Sequence, residues 1–149
     1  MKTLKLSIVL FTFLLSNNVL AQKLRESEIP AIVIKNFQSK YPNAIVDEWE
    51  WKAAKSAYEV EFTMKNNEYK SYFNKAGEWL ITKREIDKKE IPKAVLRSLL
   101  KTEYANWKID DIEEQSTPEY RKIYEIKLET ANRKVLLYFL PNGTKIENR

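Results

Sequence analysis

Two runs of carboxylates are the residues here whose types and spacing could do chemistry. "VDEWE" carries Asp47, Glu48 and Glu50, and "IDDIEE" carries Asp110, Asp111, Glu113 and Glu114. Two carboxylates flanking a bond are the machinery of glycoside hydrolysis, and a cluster of them is a calcium ligand set. A simpler reading competes with both. The acids are interleaved with apolar residues, as on strands whose outer face is solvated and needs charge. That reading is the expectation, and no catalytic residue is assigned.

Other chemistries are excluded by residue type. The chain has no His and no Cys, which removes Ser-His-Asp triads, Cys nucleophiles, His-ligated zinc or haem, and thiolate metal sites. It has no GxxxxGK or GxGxxG loop to cradle phosphate and no EF-hand pattern. No cofactor and no metal are therefore expected, and the protein is not expected to be an enzyme. Charges of both signs are mixed along the chain, as in "KREIDKKE" from Lys83. Nucleic-acid binders concentrate basic residues instead, so no nucleic-acid partner is expected.

The aromatic residues say more. Tyr58, Phe62, Phe73, Tyr124 and Phe139 alternate with polar residues as core positions of strands do, and Trp49 and Trp51 share a side with Ile45 and are also read as core. Tyr72 and Tyr138 each precede one of these core phenylalanines, so they point to the opposite face, and Leu136 points with Tyr138. Apolar and aromatic side chains on a face that should be solvated mark a binding surface. Cross-strand pairing of a tyrosine with Lys or Glu stems is the competing reading. The candidate binding residues are Tyr72, Tyr138, Leu136 and Trp79, the last of these beside a turn.

The elements that carry these residues are written twice. "EIPAIVIKNF" from Glu28 returns as "EIPKAVLRSL" from Glu90, 90 − 28 = 62 residues on; "YEVEF" from Tyr58 returns as "YEIKL" from Tyr124, and Gly77 as Gly143, 66 residues on. Pro30 and Pro92 suit the first turn of a helix. Val33, Ile34, Phe37 and Tyr41 form one helical stripe, and Val95, Leu96, Leu99 and Leu100 another. Four extended runs follow each helix, with turns at Asn66-Asn67 and at the two glycines, the only glycines in the chain. The expected fold is α+β: two α-β-β-β-β repeats, residues 22–89 and 90–149, joining antiparallel sheets with the helices on one face. A unit of about 60 residues alone is marginal, so one cooperative domain is expected.

Residues 1–21 read as a signal peptide. Lys2 and Lys5 precede an apolar run from Leu6 to Leu15 that closes on Val19-Leu20-Ala21. That run is well short of the roughly 20 residues needed to span a bilayer. Cleavage after Ala21 removes two lysines, and the net charge falls from +5 to 5 − 2 = +3. The expected location is periplasmic or secreted, with no membrane insertion after cleavage.

These pieces together resemble a known family. "IP" before a short helix, "YPNA" after it, then "YEVEF" and an aromatic strand before "GEW" are similar to the PepSY-like, beta-lactamase-inhibitor-protein-like family, once per repeat. The second copy departs from the pattern, with "EYAN" lacking the proline and "GTK" lacking the tryptophan. The resemblance implies a secreted, non-enzymatic domain, and in the inhibitor branch the open sheet face grips another protein. Two function classes stay open: a module holding an unidentified protein or peptide on the open face, or an envelope structural protein that sequesters a small ligand or glycan. For the leader, N-terminal sequencing of the exported protein should begin at Gln22; intact Met1 in the membrane fraction would overturn that expectation.

Overall fold

The computed structural model describes residues 22–147. The leader and its cleavage site lie outside the described residues. The elements in chain order are β1 (Gln22–Leu24), α1 (Ala31–Lys40), β2 (Ile45–Lys52), β3 (Ala57–Met64), β4 (Asn67–Asn74) and β5 (Trp79–Glu85), then α2 (Lys93–Leu99), β6 (Lys108–Ser116), β7 (Ile123–Glu129), β8 (Lys134–Phe139) and β9 (Lys145–Ile146). All nine strands form one sheet in sequence order, each antiparallel to its neighbours. The α+β fold of two helix-plus-four-strand repeats is therefore present, with β1 as an added edge strand. Among the described residues, no helix is long and apolar enough to cross a membrane.

Each helix seals one apolar cluster against the same side of the sheet. Under α1 lie Val33, Phe37, Trp49, Val60, Phe62 and Phe73; under α2 lie Val95, Leu99, Ile112, Ile126, Leu128 and Phe139. Phe37 stands edge-on to Trp49, Phe62 and Phe73 at centroid distances of 5.5, 5.2 and 6.2 Å. Edge-to-face pairs of this kind add about 0.5–1.5 kcal/mol each beyond the area they bury.

β5, the last strand of the first repeat, joins it to the second. It pairs with β4 through Lys70–Phe73 and with β6 through Ser116–Glu113, so that only Thr82 and Lys83 are paired on both sides. Between the two clusters the seam is polar. The hydroxyl of Thr82 accepts a bond from Trp79 Nε1 at 2.8 Å, lies 2.8 Å from Ser71 Oγ and is also bonded to the Tyr41 hydroxyl.

Three bulges correct the alternation. The extra residue in β2, Asp47, falls between Val46 and Glu48, and it turns Ile45 away from Trp49 and Trp51. Ile45 is consequently 68 % exposed while Trp49 is core. Asp110 is the extra residue of β6 at the equivalent place. In β5 the extra residue is Leu80, and Trp79 thereby sits opposite Phe73 on the helix side. The hairpin turn after β3 is Lys65-Asn66, one residue earlier than expected; both residues have positive φ, 52° and 60°, the form a two-residue hairpin favours. Leu100, expected on the buried stripe of α2, is 66 % exposed, on the outward side of its helix as the equivalent Gln38 is on α1.

The two glycines do the same job twice. Gly77 and Gly143 have φ of +83° and +87°, and each presses onto a helix. A Cβ on Gly77 would meet Ile32 Cγ1 at 2.9 Å and Asn36 Nδ2 at 3.0 Å; one on Gly143 would meet the Ala94 carbonyl oxygen at 2.6 Å and Ser98 Oγ at 2.7 Å. At Gly77 the nearest atoms are side-chain ends, which can yield, and the Ile32 carbonyl oxygen stands off at 3.1 Å; at Gly143 the helix carbonyl is itself the nearest atom. Gly143→Ala should therefore cost about 1–3 kcal/mol, and more than Gly77→Ala, in thermal melts. Equal melting of Gly143→Ala and the parent protein would overturn this account.

Candidate functional site

The face opposite the helices carries no α-helix among the described residues, although the Ala53–Lys55 turn reaches over its middle, and the sequence places the candidate binding residues there. Phe73 and Phe139 are fully buried under the helices. Their neighbours Tyr72 and Tyr138 therefore point to the open face, Tyr72 opposite Glu59 and Ile81, Tyr138 opposite Glu125 and Ile146. Leu136 lies beside Lys127 on the same face and is 46 % exposed. Trp79 does not join them. Its indole is on the helix side, half-buried, bonded to Thr82 and capped by Lys40 Nζ 3.4 Å from the ring centroid.

Tyr72 and Tyr138 also do not form one patch. Four strand spacings separate β4 from β8, roughly 19 Å. Tyr72 is only 5 % exposed. Lys55, from the loop between β2 and β3, lays its ammonium 4.0 Å from the ring centroid. Burial, and then a hydrogen bond donated to the Glu59 carboxylate, pushes the Tyr72 hydroxyl far above the usual phenol range. It remains a protonated donor at every physiological pH. Tyr138 is half-buried.

The open face is instead a lattice of charges. Strand pairing sets Glu48 opposite Glu61, Glu50 opposite Glu59, and Glu113 opposite Glu125. Like charges directly opposite repel, and lysines on neighbouring positions offset this. Lys23 bonds Glu48 at 2.8 Å, Lys52 bonds Glu50 and reaches Glu59 at 2.9 Å, Lys70 bonds Glu61 at 2.6 Å and Lys83 bonds Glu113 at 2.6 Å. Burial alone would lower Lys52, but its hydrogen bonds to Glu50 and Glu59 leave its pKa raised, and the same bond holds Glu50 below the usual carboxylate range. Gln115, buried between β5 and β7, donates to both Glu113 and Glu125 at 2.8 Å. The lattice continues at the far end, where Asp110 takes Lys127 at 3.0 Å and Lys134 at 3.2 Å.

Both carboxylate runs are absorbed in this way. Glu48, Glu50 and Glu113 have lysine partners on the open face, Glu114 pairs with Lys122 at 2.9 Å and Arg84 at 3.7 Å, and Asp110 is held by two lysines. Among the described residues, no cluster of three or more acids is arranged to hold a metal ion. Beside the lattice, β4 and β5 diverge beyond the Lys70–Lys83 pair, leaving a polar cleft of about 270 Å³ flanked by Glu68, Tyr69, Arg84 and Glu85. Arg84 bridges it to Asn67 at 3.2 Å. Neither the ion-pair lattice nor this cleft was visible in the sequence, because both depend on strand register.

A comparison with curated proteins returns no match. Solved structures share the fold. A BLIP-like protein from Bacteroides fragilis is 26 % identical with a TM-score of 0.71, covering 81 % of this chain and 85 % of its own. A DUF2874 family protein from Bacteroides ovatus is 26 % identical with a TM-score of 0.70, covering 81 % and 86 %. A protein from Bacteroides eggerthii, described as periplasmic, is 22 % identical with a TM-score of 0.66, covering 80 % and 86 %, and shows the fold alone. The sequence profile of the family described as "Putative beta-lactamase-inhibitor-like, PepSY-like" matches residues 18–65 and again 56–147. Two matches that together run through both helix-and-sheet repeats place this chain in that PepSY-like family.

Proposed function

We propose that this is a non-enzymatic binding module, exported to the periplasm or beyond, that holds a protein partner against its open sheet face. One observation carries the reading: a nine-stranded sheet with both α-helices on one side, whose other side presents a lattice of paired charges. The name of the Bacteroides fragilis relative, BLIP-like, points the same way. Recognition is by charge register more than by aromatic anchors. A partner whose charges complement the lattice exchanges one set of ion pairs for another, which favours specificity and rapid association over raw affinity. Leu136 and the half-buried Tyr138 supply the apolar contact near the β8 edge, while Tyr72 supports the face from beneath.

A photo-crosslinking amino acid at Leu136 should capture a protein in cells, and the same group at Ile32, exposed on the helix side, should not. Capture at Ile32 alone, or at neither position, would show that the open face is not the working surface.

The roles of the two residues also separate in stability. Tyr72→Phe keeps the ring under Lys55 but removes the donor to buried Glu59, and should cost about 1–3 kcal/mol in denaturant unfolding. Leu136→Ala should change stability by no more than about 0.5 kcal/mol. A silent Tyr72→Phe would mean that the hydroxyl supports nothing.

A further inference from the structure

Each repeat has a groove on the helix side, between its helix and its first long strand, and the two grooves are built from equivalent residues. The first is lined by Glu26, Ile34, Phe37, Gln38 and Val46 among others, with a volume of about 380 Å³. The second is lined by Lys88, Leu96, Leu99, Leu100 and Ile109, with Ala105, Trp107 and Lys108, and has a volume of about 450 Å³. Lys88, Leu96, Leu99 and Leu100 stand 62 residues beyond Glu26, Ile34, Phe37 and Gln38. The duplication therefore supplies an internal control: one scaffold, two grooves, different chemistry at the rim.

Two differences at the rim set the grooves apart. Where the first groove has the acid Glu26 at its mouth, the second has Lys88, which pairs with no carboxylate among the described residues. Where the first has the amide Gln38, the second has Leu100, an aliphatic side chain 66 % exposed over an apolar floor. At the other end Arg133 lies 5.4 Å from the Trp107 ring, whereas the Lys108 ammonium turns to the open face and bonds Glu129 at 2.7 Å. Neither Lys88 nor Arg133 is paired with a carboxylate among the described residues, and the neighbouring Asp87 and Glu90 are held by Lys89 and Arg84 at 2.9 Å each, so the rim keeps a positive excess. An apolar trough rimmed by cations complements a molecule with a hydrocarbon chain and an anionic head, and the volume falls within the range of small-ligand sites. We infer that the groove between α2 and β6 binds a single-chain anionic amphiphile, taken up as a free molecule rather than within a bilayer, and that the groove under α1 does not.

The site lies on the side of the sheet away from the proposed protein-binding face, so either reading can fail without the other. The test is calorimetric titration of the purified, exported protein with sodium dodecanoate below its micelle concentration. Dodecyltrimethylammonium serves as the chain-matched cation and anionic phosphatidylglycerol vesicles as the membrane arm. Dodecanoate should bind saturably at one per chain, and the cation about ten-fold more weakly or worse, the ratio expected from one charge-assisted contact. Lys88→Glu should weaken dodecanoate about ten-fold without weakening the cation. Leu100→Glu should abolish binding, and Gln38→Glu, the equivalent change in the first groove, should leave it intact; both positions lie at groove rims, so melting curves should confirm that the variants fold. The inference is overturned if dodecanoate shows no saturable binding, if the cation binds equally well, if Gln38→Glu loses binding as Leu100→Glu does, or if the protein associates with vesicles but not with the free amphiphile.

Discussion

The fold depends on β5 being shared. Each repeat has its own apolar cluster beneath its own helix, and no buried residue belongs to both clusters. What joins them is a strand that leaves one partner as it takes up the next, with Thr82 and Lys83 paired on both sides. The two residues face opposite ways. Thr82 turns to the helix side, where Tyr41, Ser71 and Trp79 converge on its hydroxyl. Lys83 turns to the open side, facing Lys70 and Gln115 and bonding Glu113. A hydroxyl with that many partners has one geometry that satisfies them, so it holds the register in which the second sheet continues the first. An apolar residue there would leave buried donors unpaired, a larger effect than the methyl group it would add.

From that shared strand the character of both faces follows. One helix per four strands covers one side only, and the helices are held at close range because each lies against a glycine turn. The other side must meet water or a partner, and register places glutamates opposite glutamates in both the β2–β3 and the β6–β7 pairs. Such a face is stable only with cations between them. Exposed pairs contribute little singly, but a connected lattice holds its lysine stems down. Lys55 belongs to the same arrangement: its ammonium sits over Tyr72, whose hydroxyl serves the buried Glu59. The surface is therefore ordered by charge, and its central aromatic is a support.

Sequence reading carried the architecture further than the surface. The repeat, both helices, the long strands, both glycine turns and the facing of Phe73, Phe139, Tyr72 and Tyr138 follow from spacing and alternation. The failures cluster at bulges. Asp47 and Leu80 each insert one residue, and one residue is enough to invert every side chain beyond it; Ile45 and Trp79 changed faces for that reason. The burial of Tyr72 was hidden for a different one. Alternation tells which way a side chain points, but the lysine that covers it comes from a loop in another hairpin, and the glutamate it bonds comes from the neighbouring strand.

The duplication also separates scaffold from specialisation. Positions that face the interior match in kind: Val33 with Val95, Phe37 with Leu99, Phe73 with Phe139, Gly77 with Gly143. One buried position departs, Ser71 against Leu137, where Ser71 bonds Thr82 at the seam; Trp79 and Gln38 differ from their counterparts at the rims. Opposite Phe73 stands Trp79, whose indole fills the flank of α1 beneath Lys40; opposite Phe139, at the equivalent pairing, stands Lys145. The second helix runs for seven residues where the first runs for ten, and the exposed position held by Gln38 in the first copy is held by Leu100 in the second. Packing constrains the interior of both copies alike, because a core residue changed in volume is felt by all its neighbours. The rim has no such constraint. Away from the seam, the residues that distinguish one repeat from the other include those at the flanks of the helices, and there the second copy has exchanged acid and amide for lysine and leucine.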